Sequence, residues 1–258
     1  MPRAIERLLE HLHDGASTAP STGELTHWLG ESRRFRSFVE LNRDKIRKKL
    51  RVAAGAEAHR DVRAELRVAH LLLADRRIEL AFEAYGSSRG GPDFTVTFRA
   101  ERSFNLEVTR RHTGSGTTGA ARTLLGKLRQ LPPSAANVVL LAVEGEEADA
   151  LDVSAAIRML QARAEAKDEQ FFLDRGFDGT RGFHRRYQRL GEVLAWRETA
   201  DGDGQTTRWT NRSARIAVPE RAVRACIACL RAVAPRDTKS ERDRPPPSPV
   251  APDETGDV

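Results

Sequence analysis

An α/β fold, with a mixed β-sheet between helices, is what the sequence predicts, on three observations. Short strand-like runs cluster at residues 78–84, 93–98 and 103–109. A helical pattern at 59–74 precedes them and another at about 120–131 follows. A continuous apolar run, "NVVLLAV" at 137–143, then reads as a buried strand. Strands in a meander, then a crossover helix and a buried strand, give a sheet of mixed direction with helices on its faces.

Residues 1–13 form an amphipathic pattern on Ile5, Leu8, Leu9 and Leu12, and the Gly/Ser/Thr/Pro stretch 14–23 reads as a linker. A strong helical pattern covers 31–52, with Phe35, Phe38, Val39, Ile46 and Leu50 on its apolar side. Nine cations share that segment with Glu40 and Asp44. They fit either the solvated face of a packed helix or a surface that tracks phosphates, with Arg33, Arg34, Arg36, Lys45, Lys48 and Lys49 as the candidates. The core helix is "HRDVRAELRVAHLLLA", 59–74. The glycine-rich loop "HTGSGTTG" leads into "AARTLLGKLRQL", which Pro132 and Pro133 stop. A long helix at about 153–173 follows, then two weaker strands, 192–197 and 205–210, around the turn "DGDG". A last helix opens at "PERA" and runs to about Val233. From Pro235 the chain is Pro-rich and charged, with nothing to bury, and is expected to be disordered. The organisation expected is an N-terminal helix and linker (1–30), one α/β domain (31–234, core about 59–143) and a tail (235–258).

Composition narrows the function classes. Lys and Arg outnumber Asp and Glu by 43 to 37 in 258 residues, a net charge of +6 that permits a polyanionic partner. No run approaches the ~18 apolar residues of a membrane span, and the N-terminus has no apolar signal core. Two cysteines, Cys226 and Cys229, make no disulfide framework; they fall within the last helix, where Cys226 shares the apolar stripe of Val223, Leu230 and Val233, and core packing is the expectation. A cytoplasmic protein with no membrane partner is the expectation. The glycine-rich loop lacks the Gly-Lys-Ser/Thr of a nucleotide-binding loop, which excludes that class of triphosphatase. "GFHRRYQRL" (182–190) and "RWTNR" (208–212) mix cations with aromatics, which suits nucleic acid and half-buried elements alike.

The chemistry concentrates in "GPDFTVTFRAERSFNLEVTRRH", 91–112. Phe94, Val96 and Phe98 share one strand face and Asp93, Thr95 and Thr97 the other; Phe104, Leu106 and Val108 share one and Asn105, Glu107 and Thr109 the other. In a hairpin, like faces must align, so paired residue numbers sum to an even number. A three-residue loop sets Asp93 opposite Glu107; a five-residue loop sets it opposite Thr109, with Glu107 on the diagonal. Directly opposed Cβ atoms lie roughly 4.5–5.5 Å apart, so either register clusters two carboxylates. A divalent cation relieves their repulsion, and so does pairing with Arg89, Arg102 or Arg110. Glu65 adds a third acid inside the apolar stripe Val62, Val68, Ala69 and Leu72 of the core helix, and it has no cation four residues on.

Pro92-Asp93, Glu107-Val108-Thr109, Glu65 and the element order together resemble the PD-(D/E)XK nuclease superfamily, over roughly residues 59–143. The resemblance implies a restriction-endonuclease-like core and Mg²⁺- or Mn²⁺-dependent hydrolysis of phosphodiesters, with DNA as the expected partner; the sequence leaves the oligomeric state open, a homodimer included. Asp93 and Glu107 would hold the metal and Glu65 would assist, directly or through water. Residues on the helix after the third strand complete the site in some members, which points to Lys127 and Gln130, on one face at i, i+3. The family's motif lysine is replaced here by Thr109, a hydroxyl without charge. The alternative is therefore a nuclease-fold protein that binds nucleic acid or a protein partner without cutting.

Overall fold

The computed structural model describes residues 3–13, 22–85, 91–111, 116–143, 152–198 and 204–231. In chain order its helices are α1 (Arg3–Leu12), α2 (Thr22–Glu31), α3 (Arg33–Leu41), α4 (Arg43–Val52), α5 (Gly55–Leu72), α6 (Gly116–Leu128), α7 (Val153–Glu165), α8 (Glu169–Leu173), α9 (Gly179–Tyr187) and α10 (Glu220–Arg231). The strands are β1 (Ile78–Phe82), β2 (Phe94–Phe98), β3 (Phe104–Arg111), β4 (Ala136–Val143), β5 (Leu190–Glu198) and β6 (Gly204–Thr210). They form one sheet in sequence order, parallel between β3, β4 and β5 and antiparallel elsewhere. The chain is thus α/β with an open mixed sheet, and α5–β1–β2–β3–α6–β4 follows the expected order.

Two apolar layers sandwich the sheet. Helices α1 to α5 and α10 pack on the face that carries Phe94, Val96, Phe104, Leu106, Val108 and Leu140. Helices α6 to α9 pack on the face that carries Val139, Leu141, Val193 and Ala195. Strand β4 is buried at every position, as its unbroken apolar run requires. Cys226 and Cys229 are buried in the first layer, in keeping with the core packing expected of them.

Several elements differ from the sequence reading, each for a local reason. The pattern 31–52 is two helices, because Asn42 turns its side-chain amide back on the Phe38 carbonyl (2.8 Å) and competes with the backbone. Helix α2 occupies part of the supposed linker and buries Leu25, Trp28 and Leu29; Gly23 and Gly30 masked its periodicity. Helix α6 begins inside the glycine-rich loop, where a first turn needs no intrahelical N–H partners. The stretch 153–173 is broken after α7 by Lys167 at φ 52°, and Asp168 caps α8 through Phe171 N. Basic-aromatic residues 182–187 lie within α9. The expected tail and most of the linker lie outside the described residues. Among the described residues no helix is long and apolar enough to cross a membrane.

Candidate active site

The hairpin adopts the three-residue register. Phe94 pairs with Leu106, Thr95 with Asn105 and Val96 with Phe104. Arg99 and Ala100 take positive φ in the turn, and Thr97 meets Ser103 at 2.7 Å. One step beyond the last pair, Asp93 falls opposite Glu107. There the ladder gives way: Val108 N donates to the Asp93 carboxylate (2.9 Å to Oδ2) in place of a strand carbonyl. The approach to Asp93 is fixed by Gly91, where a Cβ would come within 2.7 Å of the Tyr85 Cβ, and by the restricted φ of Pro92.

Side chains from both layers reach this break in the sheet. Lys49 of α4 lies 2.5 Å from Glu65 of α5, 2.9 Å from Asp93 and 3.6 Å from Glu83. Lys127 of α6 lies 2.5 Å from Glu107 Oε1. Glu107 shares its sheet face with Val139, its parallel partner, and so with the α6 layer. The walls enclose a cavity of about 310 Å³ that Gln130, Thr109 and Asp61 also line. Glu65, Asp93, Glu107, Lys127 and Gln130, all singled out from sequence, thus line one cavity.

The electrostatics are strained. Glu65 and Glu107 are buried, at 6% and 3% exposure. Burial, then the Asp93 charge, pushes the Glu107 carboxyl up to about 7 against the pull of Lys127. The same two causes raise Glu65 well above the usual carboxylate range, with Lys49 opposing. Burial works against the Lys49 charge, but Asp93 and Glu65 outweigh it and hold its proton more tightly than usual. Glu107 Oε2 is buried with no hydrogen-bond partner. Four carboxylates against two ammoniums leave the cluster formally short of two positive charges.

Three residues of this site were not assigned to it from sequence. Lys49 was a phosphate-contact candidate, one of nine similar cations, and only the packing of α4 on α5 separates it from them. Glu83 adopts φ 43° and donates its N–H to the Asp93 carbonyl (2.8 Å), so the β1–β2 register carries it to Asp93. Asp61 sits one turn before Glu65 and also binds Arg110 at 3.1 Å. Of the arginines expected to pair with the two acids, Arg110 is held by Glu57 and Asp61, and Arg89 lies outside the described residues.

The proposed phosphate contacts divide. Arg34 donates to the carbonyls of Leu73, Asp75 and Ile78 at 2.6–2.7 Å and ties α3 to the end of α5. Lys45 donates to Phe82 O at 2.8 Å. Lys49 enters the acid cluster. Arg33 and Lys48 are exposed and Arg36 is half-buried.

Among the described residues no three Asp, Glu, His or Cys side chains converge closely enough to hold a metal ion as they stand. The donor chemistry nevertheless fits a hard divalent cation: all ligands are carboxylate oxygens, one of them is buried without a partner, and the negative charge is in excess. Comparison with protein-family models, curated proteins and solved structures found no match to this chain.

Proposed function

We propose that the protein is a metal-dependent nuclease of the PD-(D/E)XK type that hydrolyses phosphodiester bonds in DNA. The observation that carries the reading is the convergence of Glu65, Asp93 and Glu107 on one cavity at a break in the sheet, with Lys49 and Lys127 entering from opposite layers. Two buried acids whose carboxyls are held above the usual carboxylate range by burial and the Asp93 charge, Glu107 up to about 7, are characteristic of sites that do chemistry.

Asp93 and Glu107, with Glu65, would hold Mg²⁺ or Mn²⁺, which supplies Lewis-acid stabilisation of charge on the phosphate. The protein's own groups divide the remaining work. Asp93 is oriented by Val108 N. Lys49 and Lys127 supply the positive charge that Thr109 lacks at the motif position, and either can hold a phosphate oxygen. Gln130 and the Thr109 hydroxyl border the cavity and offer hydrogen bonds to a water or to the substrate.

The test is cleavage of plasmid and single-stranded DNA in Mg²⁺ and Mn²⁺ by the wild type and by Asp93→Asn. Cleavage that requires the metal and disappears in the variant supports the reading. Metal-dependent cleavage unchanged by Asp93→Asn sinks it. The second reading, a nuclease fold that binds without cutting, rests on Thr109; DNA binding without cleavage in either metal favours it.

A further inference from the structure

The ends of α6 and α9 gather arginines that the acid site does not use. Arg186 donates to Arg129 O at 2.6 Å, and Arg189 donates to Leu131 O at 3.1 Å. Both bonds clasp the turn that follows α6. The Arg129 side chain lies against the α8–α9 connection: a Cβ on Gly176, at φ 73°, would come within 2.9 Å of its Cζ. Arg215 joins from beyond β6, donating to Gln188 Oε1 at 3.0 Å.

These cations are crowded and unneutralised. Burial, then the charges of Arg186, Arg185 and Arg215, hold Arg189 below the usual arginine range, so the four guanidiniums feel one another. Arg185 has Asp178 at 2.9 Å. Among the described residues, Arg129, Arg186, Arg189 and Arg215 have no carboxylate partner. Three arginines elsewhere do have one: Arg208 has Glu192 and Glu220, Arg110 has Glu57 and Asp61, and Arg77 has Asp75. Each guanidinium carries five N–H donors, and the bonds above use one each on Arg186, Arg189 and Arg215. The clasped turn contains Gln130, which lines the acid cavity.

We infer that this arginine surface, at the joined ends of α6 and α9, docks the phosphodiester backbone of nucleic acid and leads it past Gln130 to the carboxylate cavity. A repeating phosphate chain matches several spaced, partly fixed guanidiniums better than a single anion does. The choice of nucleic acid rests on the nuclease reading; the binding itself needs no catalysis and is measurable apart from it.

The experiment is fluorescence anisotropy of a labelled DNA duplex, and of its single strand, with the full chain in EDTA over a salt series. Arg186→Gln/Arg189→Gln should weaken binding about tenfold or more and lower the log–log salt slope by about two. The exposed Arg215→Gln, which leaves the clasp intact, should lower the slope by about one. Arg186→Lys/Arg189→Lys should restore most of the slope, which a purely structural role would not do. Arg99→Gln, in the β2–β3 turn, should leave binding unchanged. Wild-type affinity and slope in both glutamine variants would overturn the inference, as would a loss of equal size in Arg99→Gln. Equally tight, arginine-dependent binding to anionic lipid vesicles or polyglutamate would overturn it in favour of a general polyanion surface. Asp93→Asn separates the two readings: lost cleavage with intact binding tests the acid site alone, and lost binding in the arginine variants tests this surface alone.

Discussion

Two buried glutamates in the same sheet are treated in opposite ways. Glu192 on β5, 2% exposed, is gripped by Arg208 through both oxygens, at 2.5 and 2.7 Å. Arg208 also binds Glu220, whose carboxyl those bonds, with Arg224, hold down to about 2. Glu107 on β3, 3% exposed, has one lysine on Oε1 and nothing on Oε2, and it is pushed up to about 7. A bidentate arginine satisfies a carboxylate's geometry and charge together, whereas a lysine leaves lone pairs open. The fold can neutralise a buried acid and does so at β5. At β3 it leaves one oxygen of the acid unsatisfied, which the proposed cation site would require.

The largest effect expected from breaking this contrast is on cleavage. Glu107→Gln should lower metal-dependent DNA cleavage at least about a hundredfold, the scale of removing one group that stabilises transition-state charge. Its stability should be unchanged or rise by about 1 kcal/mol, because an under-satisfied buried charge is removed. Glu192→Ala should do the reverse. It strands Arg208, which keeps Glu220, and should lose about 2–3 kcal/mol, short of the roughly 3–5 kcal/mol of a fully buried pair. Cleavage below its unfolding range should hold. Urea denaturation and plasmid nicking on the same samples check both, and a shared outcome for the two variants would remove the contrast.

Next in size is Lys49→Met. It leaves Glu65 and Asp93 in a buried cluster without their ammonium, so the chain should lose about 3–5 kcal/mol. Part of the loss should return in Mg²⁺, because a cation that binds only the folded chain stabilises it by mass action. Thermal unfolding with and without Mg²⁺ measures this. A Tm deficit that Mg²⁺ leaves untouched would argue against a cation site at these carboxylates.

The third effect is on pH dependence. Glu107, raised from 4.5 to about 7, keeps its proton in the folded chain at pH values where the unfolded chain has released it. Its contribution is therefore full below pH 4.5 and is lost as pH rises to about 7, a change on the order of a few kcal/mol. His70, lowered to about 4 by burial and then Arg67, pulls the other way over part of that window. The readout is therefore wild type minus Glu107→Gln in urea midpoints, where His70 cancels. That difference should fall between pH 4.5 and 7, and a flat difference would mean Glu107 is not the titrating group.

What the sequence disclosed, and what it hid, follows the range of the interactions involved. Strand alternation limits the β2–β3 register to two choices, and the hairpin took the one that opposes Asp93 and Glu107. Glu65 was visible because an acid inside an apolar stripe needs a partner. Lys49 was hidden because its role depends on packing between helices: Arg34 and Lys45 belong to the same basic stretch, yet they bind carbonyls while Lys49 binds carboxylates. Helix α2 was hidden because Gly23 and Gly30 weaken its helical pattern, while tertiary burial of Leu25, Trp28 and Leu29 supports it.

The smallest effect expected is also the one that best sharpens the contrast. Thr109→Lys returns an ammonium to the position where the nuclease motif has lysine, half-buried on the cavity wall. If Lys49 and Lys127 already supply the charge a phosphate needs, a third cation adds little and crowds Glu107. Cleavage should then change by less than about fivefold, while Lys127→Met lowers it by about tenfold to a hundredfold, within the range of one positioned proton-transfer or charge group. The Glu107 titration should also move down in Thr109→Lys, since a new positive charge beside a carboxylate favours its ionised form. A gain above a hundredfold in Thr109→Lys, with Lys127→Met fully active, would mean that both lysines serve only to hold the carboxylates. The cavity would then lack a phosphate-facing charge, and the unsatisfied oxygen of Glu107 would mark a site for a cation but not for cutting.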